Sequence, residues 1–160
     1  MRTGKTDFER TRMNDTEGNM FTTRSGFEAR WAEYLHLLYR AGEINGFEYE
    51  PKEFKFKTKD GKEIKKGRGA FYKPDFWVYE CYGDSGYFVE CKGHLDQISK
   101  TKIMRFLQQY EMDAKGFQLV LQSVPKKGKS AIYLNDIRNL IESVGGRIID
   151  AKECLRNVKF

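Results

Sequence analysis

The sequence predicts an α/β or α+β domain in which a mixed central β-sheet is flanked by helices. Amphipathic segments with helical spacing alternate with apolar segments that resemble strands, in the order α-β-β-β-α-β-α-β. That order is typical of a sheet with helices packed against it. A chain of 160 residues is also long enough to form one domain with a hydrophobic core.

The N-terminal part divides into a polar segment and a helix. Residues 1–20 are polar and aperiodic, which predicts a flexible arm before a single domain over residues 21–160. The segment "RSGFEARWAEYLHLLYRAG" then places apolar residues three to four positions apart, as an amphipathic helix does. Ser25 is the expected N-cap, with Glu28 as its capping-box partner, and Gly42 is the expected stop.

The rest of the chain is assigned from its patterning. "FEYEPKEFKFKT" (47–58) alternates like one strand and "KDGK" predicts a turn. "FYKPDFWVYECYGDSGYFVECKGH" (71–94) predicts a hairpin of two aromatic strands. A helix is expected in "SKTKIMRFLQQYEM", a buried strand in "GFQLVLQS" and a basic loop in "PKKGKS". A third helix is expected in "LNDIRNLIESVGG", and a strand followed by a turn or helix in "RIIDAKECLRN".

The positive charge is concentrated in one segment. The net charge is +6, and residues 52–73 carry nine Lys or Arg against three Asp or Glu, which accounts for the whole excess. Such a patch attracts polyanions, so nucleic acid is one expected partner, and a solvated hairpin is the other interpretation. The DNA-binding candidates are Lys57, Lys59, Lys62, Lys65, Lys66, Arg68, Lys100, Lys102 and Arg105.

Two compositional features bear on the location of the protein. No apolar run has the length of a membrane span, and the first residues lack the apolar stretch of a secretory signal. The three cysteines are odd in number and lack metal-ligand spacing. These features predict an intracellular, cytoplasmic protein with reduced thiols and no membrane partner.

Charged residues stand in the predicted hairpin at positions where a purely structural hairpin would favour apolar ones. Because strand side chains alternate, Glu90 and Lys92 share one face of their strand. Asp75 can lie beside Glu90 if the two strands of the hairpin pair. Two close carboxylates repel each other, and a hard divalent cation relieves that repulsion. The alternative is a solvent-facing ion pair without catalytic function.

These residues therefore predict a site for Mg²⁺ or Mn²⁺, in which the main-chain carbonyl of Cys91 is a further candidate ligand. Such an ion can activate water and stabilise the charge that develops on a phosphodiester. Lys92 can orient or deprotonate the attacking water, or stabilise the developing negative charge as a cation. The second role is favoured, because a lysine beside carboxylates tends to stay protonated.

The pattern resembles a known nuclease signature. "PDF" followed by "ECK", with fourteen residues between Asp75 and Glu90, is similar to the motif of the PD-(D/E)xK nuclease superfamily. The succession "RSGFEARWAEYL", "FEYEP", "YKPDFWV" and "YFVECKG" is similar to bacteriophage endonuclease I, a family of Holliday-junction resolvases. The similarity extends over about residues 21–156.

The resemblance implies a restriction-endonuclease-like fold and residue roles. By position, Asp75 and Glu90 correspond to the metal-binding acids, Lys92 to the catalytic lysine and Glu28 to the acid that completes the site. It also implies cleavage of branched DNA by a homodimer, with N-terminal segments that exchange between subunits, in the host cytoplasm if a phage encodes the protein. Two alternatives remain: a nicking or restriction-like nuclease acting on ordinary duplexes, and a non-catalytic DNA-binding module with the same fold.

Overall fold

The computed structural model describes residues 12–65, 67, 69–82 and 84–158. Nine strands and four helices are assigned within these residues. The strands are β1 (Arg12–Asn14), β2 (Met20–Thr22), β3 (Gly46–Tyr49), β4 (Phe54–Lys55), β5 (Phe71–Tyr72), β6 (Phe76–Tyr79), β7 (Gly86–Lys92), β8 (Gln118–Leu121) and β9 (Arg147–Asp150). The helices are α1 (Gly26–Arg40), α2 (Gln97–Gln109), α3 (Lys129–Ser143) and α4 (Ala151–Leu155).

A five-stranded mixed sheet forms the centre of the fold. Its strand order is β3-β6-β7-β8-β9, with antiparallel pairing from β3 to β7 and parallel pairing from β7 to β9. A short turn joins the antiparallel neighbours β6 and β7, and residues 50–75, which include β4 and β5, connect β3 to β6. The parallel neighbours β7, β8 and β9 are connected through α2 and α3, because parallel strands need a crossover connection. The predicted mixed sheet flanked by helices is confirmed.

Each face of the sheet has its own hydrophobic core. On one face, α1 buries Trp31 and Leu35 against strand residues that include Val89 and Cys91. On the other face, α2 and α3 bury Phe106 and Ile137 against residues that include Phe88 and Leu119. Strand β7 is thus covered on both sides, and its alternation places Glu90 on the α2 side of the sheet.

The first helix agrees with its predicted caps. Ser25 Oγ accepts a hydrogen bond from Glu28 N at 3.2 Å, as an N-cap does. At the other end, the helix gives way to Gly42, whose φ of 76° is the left-handed conformation that glycine adopts without a Cβ penalty. The Glu28 carboxylate accepts from Arg24 N, one residue before the cap.

Several predictions of secondary structure need correction. The flexible arm is wrong for residues 12–20, because β1 and β2 pair as an antiparallel hairpin; residues 1–11 lie outside the described part. The single strand over 47–58 is divided into β3 and β4, which belong to different sheets. Glu50 has a φ of +44° and Pro51 follows it, so the extended backbone is interrupted there.

The third helix begins earlier than expected, at Lys129 rather than Leu134, and includes the end of the predicted basic loop. Gly128 precedes it without a side-chain cap, so the usual sequence signal for a helix start is missing. The hairpin predicted over residues 71–94 is confirmed for β6 and β7, but Phe71–Tyr72 forms the separate strand β5, which belongs to another sheet. The second helix, the buried strand and the terminal strand-helix pair are confirmed with small shifts at their ends.

Two further features agree with the sequence. In the described part of the chain, no helix combines the length and the apolar character needed to cross a membrane. Cys81, Cys91 and Cys154 are all free thiols.

Candidate active site

The hairpin of β6 and β7 brings the two predicted metal-binding acids together. Phe76 pairs with Val89, so Asp75, one residue before β6, lies opposite Glu90. Both side chains are buried, with exposed fractions of 6% for Asp75 and 3% for Glu90. Antiparallel pairing has therefore placed two acids, fifteen residues apart in the sequence, side by side in a low-dielectric environment.

Asp75 is held in place by the main chain of β7. Its Oδ2 accepts a hydrogen bond from Cys91 N at 2.7 Å. The N–H and C=O of one strand residue point to the same side of the strand, so the Cys91 carbonyl also points towards the Asp75 edge. The neighbouring Lys92 carbonyl points the other way, where it accepts from Gln122 N. The carbonyl predicted as a ligand thus lies on the same edge of β7 as Asp75.

Glu90 makes two polar contacts. Its Oε2 accepts a hydrogen bond from the Tyr72 hydroxyl at 2.8 Å, and its Oε1 lies 3.1 Å from Lys92 Nζ. The Glu90–Lys92 pair confirms that these side chains share a strand face. Tyr72 belongs to the small sheet of β4 and β5, which therefore packs directly against the site.

Glu28 is oriented by contacts from two directions. Its Oε2 accepts from the Tyr49 hydroxyl at 2.9 Å and from Arg24 N at 3.2 Å. Arg24 also forms an ion pair with Glu50 at 2.8 Å between Nη2 and Oε1. Glu28 therefore contacts the main chain at the start of α1 and also lines the cavity described below, so its position is compatible with both interpretations.

All four predicted catalytic residues line one cavity of about 180 Å³. Its wall consists of Arg24, Glu28, Phe71, Tyr72, Lys73, Asp75, Glu90, Lys92, Ile98, Ser99 and Lys102. Three acids, from α1, from β7 and from the residue that precedes β6, thus converge on one space, with Lys92 beside them. This volume admits a phosphate group and solvent rather than a large organic ligand.

Burial and like charge perturb the acids. Burial raises the pKa of Asp75 well above its ordinary value, and Glu90 and Glu28 raise it further, although Cys91 N–H and Lys92 oppose the rise. Burial also raises the pKa of Glu90 against the opposing effects of Lys92 and Tyr72. Carboxylates that resist ionisation in this way gain most from a nearby cation.

The pKa of Lys92 is also raised, but by the neighbouring acids rather than by burial. Burial lowers the pKa of its ammonium group, but Glu90 and Asp75 outweigh burial and the net pKa is raised. The side chain retains 32% of its exposure, so the ammonium group is open to the cavity. Lys92 is therefore protonated at neutral pH.

The oxygen ligands that this site offers are of the chemical type that a hard divalent cation prefers. Carboxylate oxygens of Asp75, Glu90 and Glu28, together with a main-chain carbonyl, are ligands that Mg²⁺ and Mn²⁺ accept. Among the described residues, however, no group of three His, Cys, Asp or Glu has an arrangement that could hold a metal ion as it stands. Glu90 is turned towards Lys92 and Tyr72, and Glu28 towards Tyr49, so ion binding requires these contacts to rearrange.

Several site residues were not predicted from sequence. Tyr49 and Tyr72 hold the acids, and Arg24 and Lys73 add positive charge to the wall. Each tyrosine lies within a segment that carries the resemblance, "FEYEP" or "YKPDF", but nothing in the sequence shows that its hydroxyl contacts an acid. Only the packing of separate segments creates these hydrogen bonds.

The predicted DNA-binding residues divide into two groups. Lys57, Lys59, Lys62 and Lys65 are exposed on the loop between β4 and β5, away from the cavity wall, and Lys66 and Arg68 lie outside the described residues. On α2, Lys102 lines the cavity, and Arg105 donates to the Gly69 carbonyl at 3.2 Å. Lys100 instead lies 3.5 Å from Asp136 and above the Tyr133 ring.

Comparison with known proteins gives a family without an assigned activity. No curated protein and no solved structure matches the chain significantly. The family model described as "Protein of unknown function (DUF1064)" matches residues 10–127. That range contains Glu28, Asp75, Glu90 and Lys92 and covers well over half of the 160 residues. The chain therefore belongs to the DUF1064 family.

Proposed function

We propose that this chain is a metal-dependent endodeoxyribonuclease that hydrolyses DNA phosphodiesters, with branched DNA such as a four-way junction as its preferred substrate. One observation carries the proposal: Glu28, Asp75, Glu90 and Lys92 line the same cavity, and all three acids are buried. The preference for branched DNA comes from the resemblance to junction resolvases. A structural ion pair alone would not require three acids around one lysine.

Asp75, Glu90 and the Cys91 carbonyl would hold Mg²⁺ or Mn²⁺, and Glu28 would complete the site. When bound, the ion supplies Lewis acidity and lowers the pKa of a coordinated water. Asp75 is already oriented by Cys91 N–H and needs no large movement. Glu90 would exchange part of its contact with Lys92 for the ion, which leaves the ammonium group available to the substrate.

Lys92 acts as a cation in this proposal. Its raised pKa keeps the ammonium group protonated, so it does not act as a general base at neutral pH. An ammonium group in a partly desolvated cavity stabilises the charge that develops on the phosphate oxygens. Of the two roles that the sequence left open for Lys92, the charge balance favours this one.

The tyrosines keep the acids in position. Tyr72 is buried and donates to Glu90, and Tyr49 donates to Glu28. Each hydroxyl donates to the Oε2 atom of its acid, and Oε1 of Glu90 faces Lys92 Nζ. Such support limits the number of rotamers that the acids can adopt, as precise positioning of catalytic groups requires.

Cations at the cavity support a phosphate-bearing substrate. Arg24, Lys73 and Lys102 line its wall, and a second cavity of about 230 Å³ shares Lys102 and extends to Arg105. The exposed lysines between β4 and β5 add long-range attraction rather than contacts at the reacting phosphate. This arrangement suits contact with the DNA backbone, which carries no sequence information by itself. A cytoplasmic location, where DNA is available and thiols stay reduced, agrees with the free cysteines.

A homodimer suits a junction, which must be cut on two strands related by symmetry. Exchange of N-terminal segments is not needed to bring Glu28 to the acids, because Glu28 lies at the cavity of its own chain. Sedimentation in the presence of a four-way junction tests the dimer, and one monomer bound per junction would contradict it.

The decisive experiment is a cleavage panel of four-way junction, flap, linear duplex and single-stranded DNA, with Mg²⁺, Mn²⁺ or EDTA. We expect the wild type to nick the junction only with metal, and Glu90→Gln and Lys92→Ala to bind the junction without cutting it. Lys115→Ala, an exposed lysine remote from the cavity, is the matched control and should cut normally. Preferential cutting of the duplex would favour a restriction-like nuclease, and binding without any cutting a non-catalytic module.

A further inference from the structure

A second concave surface, which we name the basic groove, adjoins the candidate active site. Its volume is about 500 Å³. Three cations line it, Arg30, Lys152 and Arg156, over an apolar floor formed by Phe27, Ala151 and Leu155. None of these residues was a candidate from the sequence, because they come from α1 and from the α4 region, which are more than 100 residues apart in the chain. Folding alone creates this concentration of charge.

The basic groove lies where three parallel strands end. Gly93, Gln122 and Ala151 line it, and they directly follow β7, β8 and β9. Main-chain hydrogen bonds hold this edge together: Gln122 N donates to the Lys92 carbonyl at 3.1 Å, and Lys152 N to the Gln122 carbonyl at 3.2 Å. In open α/β sheets, ligands bind at the carboxyl ends of the strands, which is the location of this groove.

The charge of the basic groove is uncompensated. Arg30, Lys152 and Arg156 are exposed, and no ion pair involves them among the residues that the structure describes. No Asp or Glu contributes to the described lining. Glu153 follows Lys152 in the sequence but does not belong to the described lining of the groove. Asp150 accepts instead from Lys152 N at 3.0 Å and Val124 N at 3.4 Å. Three cations without an acidic partner attract a polyanion.

The groove and the active-site cavity are adjacent at two points. Phe27 in the groove precedes Glu28 in the cavity, and Gly93 in the groove follows Lys92 in the cavity. Consecutive Cα atoms are only about 3.8 Å apart. The two linings share no residue, but these neighbours place the groove beside the cavity, within reach of the next phosphates of a strand whose phosphate occupies the cavity.

We propose that the basic groove binds the backbone phosphates of the DNA strand on one side of the scissile phosphate. This inference rests on the proposed function, since it takes the substrate to be DNA. The cavity that extends to Arg105 lies beyond Lys102 and Ile98, whereas the groove adjoins Glu28 and Lys92. The groove thus gives the strand a second contact region distinct from the α2 cations.

The test is the salt dependence of DNA binding, which does not depend on cleavage. The full chain is titrated with a fluorescent four-way junction, in EDTA and with Ca²⁺ in place of Mg²⁺, over a series of salt concentrations. The test variant is Arg30→Ala/Lys152→Ala/Arg156→Ala. The control variant, Lys115→Ala/Arg138→Ala/Arg147→Ala, removes the same charge at positions outside the groove. Thermal unfolding of both variants verifies that they are folded.

Each phosphate contact contributes about 0.9 to the slope of log K against log salt, so three lost contacts lower the slope by about 2.7. Between about 50 and 200 mM salt, wild-type affinity should then fall roughly 40-fold more than that of the groove variant. We expect the control to keep most of the wild-type slope. Equal slopes for the groove variant and the control would contradict phosphate binding in the basic groove, without affecting the proposed nuclease activity. A wild type that binds no DNA in either condition would overturn both.

Discussion

The replacement Asp75→Asn tests whether Asp75 serves metal binding or the stability of the fold. The substitution preserves the shape of the side chain and an oxygen that can accept the Cys91 N–H, which lies 2.7 Å from Asp75 Oδ2. It removes one negative charge from a buried pair. If Asp75 is retained for ion binding rather than for folding, the metal-free protein should become more stable when the charge is removed.

The magnitude follows from the position of the pair. Residues directly opposite on antiparallel strands have Cα atoms about 5 Å apart. Two unit charges at that separation repel by about 3 kcal/mol at an effective dielectric constant of about 20. The Lys92 ammonium, 3.1 Å from Glu90 Oε1, offsets part of this repulsion. We therefore expect Asp75→Asn to raise the free energy of unfolding in EDTA by about 1–3 kcal/mol at neutral to alkaline pH.

The pH dependence has a definite sign. The pKa of Asp75 is raised in the folded state, so the folded protein holds this proton at pH values where the unfolded chain has released it. Below the ordinary carboxyl pKa, Asp75 therefore does not lower the stability of the wild type. The wild type loses stability as the pH rises through the pKa that Asp75 has in the folded protein. Asparagine does not titrate. The advantage of the variant should vanish in acid and grow with pH.

Urea unfolding followed by circular dichroism measures this difference, in EDTA and in saturating Mg²⁺. Bound Mg²⁺ should stabilise the wild type by about 2.7 kcal/mol at 100 times its dissociation constant, and the variant much less. Asp15→Asn is the control, because Asp15 is equally buried, at 7% exposure, but accepts from Glu17 N and Asn19 N. That control should not gain stability. An Asp75→Asn protein less stable than the wild type in EDTA at pH 8 would refute the reasoning.

Three further predictions concern the same site. Lys92→Ala should lower the cleavage rate by about 10²–10³-fold, because a cation that stabilises the transition state is lost. Its affinity for the junction should change only a few-fold. If affinity falls as much as the cleavage rate, Lys92 is a binding residue only. Tyr72→Phe should reduce the free energy of unfolding by about 1–3 kcal/mol and weaken activation by Mg²⁺, since Glu90 loses a buried hydrogen bond, whereas the exposed Tyr39→Phe should change neither. The apparent Mg²⁺ affinity, measured by calorimetry, should rise with pH above the ordinary carboxyl range of about 4, because the raised pKa values of Asp75 and Glu90 make protons compete with the ion. A flat profile would indicate that these acids do not bind the metal.

Local patterns were sufficient for much of the fold. Helix α1 was predicted with its N-cap and its terminating glycine because capping depends on residues within one turn. The β6–β7 hairpin was predicted because its aromatic strands flank a short turn. The division of residues 47–58 was missed because alternation continues through Glu50 and Pro51. Glu50 has a positive φ and its N–H donates to the Asp75 carbonyl, a contact between distant residues that the local pattern does not show. The early start of α3 was missed because Gly128 gives no capping signal.

The sequence by itself determined which acids and which lysine form the site. It also determined that Glu90 and Lys92 share a strand face and that hairpin pairing brings Asp75 beside them, because strand alternation and hairpin register are local properties. Only the tertiary structure decided that Glu28 joins them, that Tyr72 and Tyr49 hold the acids, and that Arg30 and Arg156 meet in one groove. These contacts join segments far apart in the chain, and their geometry is set by how the helices and the small sheet pack on the central sheet.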